Sequence, residues 1–245
     1  MRREWRGSTC IYCGKQMAVT EDHVIGRKFF PERLRGNLPK APACAKCNNE
    51  KSKLESYVMA VLPFGSMHPA GQEMLKTMGK RRFEKNERLR RELREGQKVI
   101  RVRYPDGTTE DTISVPFDSD KWTRLCEMII RGLLFHHFGQ AMPQEYRVHV
   151  FHLTDTLLRW FKEEILSLSP DQFQDHSLAD GAFRYQFTAS PNDSFLSAWV
   201  LELYDLFGMC GQTEDGKSLR THTTAITGPP EIEPIVAKIR ETLAG

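Results

Sequence analysis

The chain has no run approaching eighteen consecutive apolar residues, and its opening, Met1-Arg2-Arg3-Glu4-Trp5-Arg6, contains no apolar signal core. That pattern argues against a membrane helix and a secretory leader, so a cytoplasmic protein with no membrane partner is expected. It also lacks a Gly-rich phosphate loop and a Gly-x-Ser-x-Gly element, which removes the usual nucleotide-cradling and serine-hydrolase readings. No internal repeat or long low-complexity tract is present, so neither a solenoid nor a disordered chain is indicated. Hydrophobic residues at 40% and charged residues at 27% are ordinary for a globular fold.

Cysteine is scarce, and its placement is uneven. Of six, four form Cys10-x-x-Cys13 and, thirty residues later, Cys44-x-x-Cys47, while Cys126 and Cys210 stand alone in apolar runs. In a reducing compartment two such pairs point to four thiolates on one tetrahedral zinc, and the single cysteines to small core residues. Four thiolates close a zinc ion to water and substrate, so this metal is expected to hold the fold and not to catalyse.

The net charge of +3 conceals an asymmetry. Residues 1–60 carry 12 Lys/Arg against 6 Asp/Glu and residues 76–103 carry 12 against 4, whereas residues 104–245 carry 11 against 21. A basic front on an acidic back fits a surface that faces nucleic acid, although a solvated charged surface would look the same.

The length allows a small domain and a larger one. The expected organisation is α+β: a zinc-stabilised front over 1–65, a basic connector over 66–98, and an α+β domain of unassigned role over 99–245. Within it, Leu54 to Leu62 reads as a helix, and so does the charged stretch Glu73 to Gly96, taken as one element. A hairpin is expected from Val99-Tyr104 and Thr112-Val115 around Pro105-Asp106-Gly107. Asp118 or Ser119 caps an apolar helix ending near Gly139. Strands are expected at Tyr146–Leu153, Phe183–Thr188 and Trp199–Phe207, and a short helix at Thr156–Leu168. Residues 221–234, with Gly228-Pro229-Pro230, read as a loop before a terminal helix.

Between the cysteine pairs lie Glu21-Asp22-His23-Val24-Ile25 and Gly36-Asn37-Leu38, and the second pair runs into Asn48-Asn49-Glu50-Lys51. With Cys10-Ile11-Tyr12-Cys13-Gly14 and Cys44-Ala45-Lys46-Cys47-Asn48, these elements resemble the HNH (ββα-metal) endonucleases in their zinc-containing form. The resemblance covers roughly residues 8–60, and Ile130-Arg131-Gly132-Leu133 is also similar to bacterial proteins that carry this nuclease at the N-terminus. It implies that His23 is the general base, that Asp22 and Asn48 hold one catalytic divalent cation, Mg2+ or Mn2+, and that Asn37 fixes the hairpin loop. It further implies hydrolysis of phosphodiesters in DNA, most naturally double-stranded, leaving 5′-phosphate and 3′-hydroxyl ends. Restriction, anti-phage defence and mobile-element roles are all compatible with that activity.

The chemistry is coherent without the resemblance. Cleaving a phosphodiester needs a base for the attacking water, which an imidazole can provide near neutral pH. It also needs charge stabilisation at the phosphate and leaving oxygen, which a hard cation on oxygen ligands can provide. Adjacent strand residues point to opposite faces, so Asp22 and His23 can share a site only through a bend or by flanking the phosphate. Asn48 stands where many relatives have His, with Asn49 as a competing ligand, and Gly26-Arg27-Lys28 replaces a proline common after the Asp-His element. Arg27, Lys28 and Lys51 are placed to hold phosphate, and Arg81, Arg82, Lys85 and Arg88 to follow a nucleic-acid backbone. Two other readings stand: a non-catalytic zinc-ribbon nucleic-acid-binding module, and a nuclease gated through its C-terminal domain by a regulatory protein partner or by homodimerisation.

Overall fold

A computed structural model describes residues 5–66, 68–103, 106–205, 212–213 and 221–244, with the side chains at 64, 65, 78–85, 212, 213, 243 and 244 excepted. The protein is α+β: a small hairpin-and-helix unit is followed by a larger mixed body.

The front unit consists of β1 (Thr20–His23), β2 (Lys40–Ala43) and α1 (Ala45–Val61). The two strands pair antiparallel, with Asp22 opposite Ala41 and His23 opposite Lys40. Between them, short 3-10 turns at Arg27–Phe29 and Glu32–Leu34 bury Phe29 and Phe30. Helix α1 starts much earlier than the apolar spacing from Leu54 implied, because Cys44 caps it: its sulfur accepts from the Cys47 N–H at 3.4 Å.

The charged stretch expected as one helix is two, α2 (Pro69–Lys85) and α3 (Glu87–Glu95). Asn86 makes the break, since its side chain accepts from Leu89 N–H at 3.1 Å and starts a new helix. Strands β3 (Lys98–Arg103) and β4 (Thr109–Ser114) form the expected hairpin, with Gly107 at φ 84° in the turn; β9 (Gln212–Thr213) adds to β3. Helix α4 (Ser119–Phe138) has both expected ends: Asp118 accepts from Lys121 N–H, and Gly139 takes the left-handed conformation at φ 71°.

The body is a five-stranded antiparallel sheet in the order β5 (Arg147–Leu153), β10 (His222–Gly228), β8 (Asp193–Leu203), β7 (Phe183–Ser190), β6 (Gln174–Leu178). Helix α4 covers one face; α5 (Asp155–Glu164) and α6 (Glu233–Ala244) cover the other. Residues 221–234 are therefore not a loop, because His222–Gly228 forms an interior strand. Every residue of β10 is buried, so the polar-apolar alternation that marks a half-exposed strand is absent, and Thr223, Thr224 and Thr227 supply β-branched side chains instead. Strand β6 was not anticipated; its exposed polar sequence, Gln174-Asp175-His176-Ser177-Leu178, has no strand signature. Phe207 and Cys210 lie outside the described residues, whereas Cys126 is fully buried, as a core residue should be.

The front unit shares its core with the body. Ile11, Val24, Phe29 and Phe30 belong to the same apolar cluster as Leu125, Ile129, Leu133 and Trp199. Val24 lies directly over Gly132 of α4, Arg124 pairs with Glu50 at 3.2 Å, and the Tyr204 hydroxyl donates to the Phe29 carbonyl.

Candidate metal centre and the hairpin site

The Cys10–Cys13 turn is closed by Gly14 N–H donating to Cys10 C=O at 2.8 Å and Cys10 N–H to Gln16 C=O at 2.8 Å. Gly14 sits at φ 59°. Ile11 N–H donates to Pro42 C=O at 3.1 Å, so the turn docks beside β2, next to the start of α1. This convergence gathers Cys10, Cys13, Cys44 and Cys47, with all four sulfurs within 4.8 Å of one another and Cys13 to Cys44 at 4.0 Å. A zinc–sulfur bond of about 2.3 Å puts tetrahedral sulfurs about 3.8 Å apart, so the cluster could hold a metal such as zinc with only slight contraction. Burial pushes the Cys10 thiol up; at Cys13 burial is outweighed by hydrogen bonds from the backbone at Lys15 and Gln16, which bring it to about 7.

Next to this cluster is the hairpin–helix interface. Thr20 and Asp22, two apart on β1, present one face to α1. Asn48 Nδ2 donates to Thr20 Oγ1 at 3.3 Å, and Lys51, one turn further along α1, reaches Asp22 Oδ2 at 3.1 Å. Asp22 and Asn48 thus both lie along the hairpin–helix seam, Asp22 through Lys51 and Asn48 through Thr20. A carboxylate and a side-chain amide are the residue types whose oxygens suit a hard divalent cation.

Lys51 does not occupy the surface position expected of a phosphate contact. It is 0% exposed, and its ammonium donates to the His23 carbonyl at 2.6 Å and to Glu55 Oε1 at 2.5 Å as well as to Asp22. Asp22, 8% exposed, also accepts from the Tyr12 hydroxyl at 2.6 Å through the same Oδ2. Burial, reinforced by the Asp22 charge, raises the Tyr12 hydroxyl well above its usual range, which keeps it a donor. Burial likewise lifts the Glu55 carboxyl, although Lys51 opposes this. Four titratable groups therefore form a buried network behind the hairpin, and Tyr12 and Lys51 both meet Asp22 through one oxygen, Oδ2.

His23 ends β1 and is half-buried. Burial holds its imidazole below the ordinary histidine range, with Lys40 adding to the effect and Asp22 partly opposing it, so the ring is neutral at pH 7. Arg27 and Lys28 follow on an exposed 3-10 turn. Asn37 is exposed at φ 57°, in the turn that leads into β2, and with Trp5, Lys40 and His136 it lines a shallow cavity of about 430 Å3. Its visible contribution to the loop is this left-handed backbone.

The basic segment contributes less that can be placed. Arg88 is exposed and paired with Glu92 at 2.8 Å, while the side chains of Arg81, Arg82 and Lys85 lie outside the described residues. The seam residues that sequence reasoning passed over are Tyr12 and Glu55. Glu55 had a signal, four residues after Lys51 on one helix face.

No described helix is long and apolar enough to cross a membrane. The chain matches no model of a known protein family, no curated protein and no solved structure.

Proposed function

We propose that the chain is a metal-dependent endonuclease of the HNH type that hydrolyses phosphodiester bonds in DNA. The observation that carries this reading is that Asp22, His23 and Asn48 lie on one hairpin–helix unit, Thr20–Val61, beside a four-cysteine cluster that could hold a metal such as zinc.

In this reading His23, neutral at physiological pH, takes the proton of the attacking water. A Mg2+ or Mn2+ ion on Asp22 and Asn48 supplies charge stabilisation at the scissile phosphate when bound. Arg27 and Lys28 grip neighbouring phosphates, while Lys40, opposite His23, is paired with Glu21 at 3.2 Å. The test is incubation of the zinc-loaded protein with plasmid DNA, with and without Mg2+ or Mn2+. Metal-dependent nicking that is lost in His23→Ala is expected, and its absence from the parent protein would overturn the reading.

A second reading has one observation in its favour. Lys51 and Tyr12 already engage Asp22, which would suit a zinc-ribbon module that binds nucleic acid without cutting it. DNA binding without metal-dependent cleavage is the outcome it expects.

A further inference from the structure

A fully buried lysine is rare, because removing an ammonium from water is costly unless oxygen partners surround it. Lys51 meets that condition with three oxygens, but two belong to a residue pair with another role in the proposed nuclease: the Asp22 carboxylate and the His23 carbonyl. We infer that Lys51 is a built-in counter-cation for Asp22, competing with the divalent ion for that carboxylate and weakening the metal's hold at the hairpin site.

This inference rests on the assignment of Asp22 as a metal ligand. The geometry supplies the rest. The ammonium is 3.1 Å from Asp22 Oδ2 and itself fully buried, so an ion on Asp22 would sit within a few ångströms of a fixed positive charge that water screens poorly. Repulsion between a divalent ion and a unit charge at such a distance outweighs the loss of one tether on the Asp22 side chain. Glu55 shares the ammonium at 2.5 Å and moderates this effect. Tyr12, on the same Oδ2, leaves Oδ1 as the oxygen that an incoming ion can approach.

The experiment measures Mn2+ binding to the full-length, zinc-loaded chain by electron paramagnetic resonance, with no DNA and no turnover. Lys51→Met alone strands Glu55 and Asp22, so the comparison is Glu55→Gln against Lys51→Met/Glu55→Gln, which isolates the ammonium. Removing it is expected to tighten Mn2+ binding at least tenfold, with the gain abolished by adding Asp22→Asn. Should the double variant fail to fold, Glu55→Gln alone remains informative: with the ammonium no longer shared, Mn2+ binding is expected to weaken at least threefold relative to the parent.

Asp22-dependent Mn2+ binding that is equal or weaker in the double variant, or unchanged in Glu55→Gln, overturns the role of Lys51 and leaves the nuclease reading intact. Tighter Asp22-dependent binding in a protein that cuts no DNA supports the role of Lys51 and overturns the nuclease reading. No Asp22-dependent binding in any variant overturns both.

Discussion

Gly132 tests whether α4 positions the hairpin site. A Cβ at this position would lie 2.6 and 2.8 Å from the two Val24 methyl groups and 3.1 Å from the Val24 Cβ. Val24 is fully buried and β-branched, and its N–H is tied to the Pro39 carbonyl at 2.8 Å, so it has little room to turn away. Overpacking of this kind costs about 1–3 kcal/mol. Replacing a helical glycine by alanine returns about 0.5–1 kcal/mol. The clash therefore wins, and Gly132→Ala is expected to destabilise the protein by about 1 kcal/mol, or about 2–4 °C in Tm for a chain of this size. Val24→Ala removes the obstructing methyls, so a double-mutant cycle in urea should show a favourable coupling of about 1 kcal/mol or more. Because Val24 follows His23, Gly132→Ala should also reduce any metal-dependent cleavage more than its stability loss explains. A Gly132→Ala protein at least as stable as the parent, or strictly additive mutants, would refute the argument.

Cys44→Ser removes a sulfur ligand and the cap of α1, so bound zinc, measured by elemental analysis, should fall by one equivalent; structural zinc contributes on the order of 10 kcal/mol to folding small domains. His137 lies among Tyr185, Phe187 and Trp199, and burial, with His176 and His136 nearby, lowers it to about 4. The unfolded chain binds that proton near pH 6.5 and the folded one does not, so stability should fall as pH drops from about 6.5 towards 4, by about 2–3 kcal/mol at most. Urea midpoints at pH 7 and 4.5 measure it, and the part due to His137 should vanish in His137→Phe, leaving that of His149 and His152, whose rings burial also lowers. In DNA binding, Arg27→Ser and Lys28→Ser should each reduce the salt slope by about 0.9, while Arg88→Ser, whose parent side chain is paired with Glu92, should leave it unchanged.

The legible parts of the fold were those with local chemistry. Cysteine spacing located the four-cysteine cluster, Asp118 and Gly139 bounded α4, and Asp106-Gly107 turned the β3–β4 hairpin, because each signal acts over a few residues. Strand β10 was missed because burial on both faces erases alternation, and the following Gly228-Pro229-Pro230 reads as a loop. The break at Asn86 was hidden in a run whose charges suit one long helix. At the site, Asp22, His23 and Asn48 were legible as residue types in order, but the burial of Lys51 was not: a lysine reads as solvated, and the oxygens that permit its burial come from residues 22, 23 and 55. The resemblance likewise extended to residue types and their order, and it said nothing of a hairpin that shares its core with α4.

Strand β10 sits between β5 and β8, yet about seventy residues separate it from β5 along the chain. Until residue 228 has been synthesised and returned, β5 and β8 each present an open row of backbone donors and acceptors towards the gap. Such edges recruit other strands, and a sheet closed by a distant segment folds slowly because the loop entropy is lost before the contacts form. The polypeptide thus passes through a stage in which its largest sheet is split in two and prone to self-association. Ending the chain before His222 should make that stage permanent, producing aggregates and not a trimmed soluble protein.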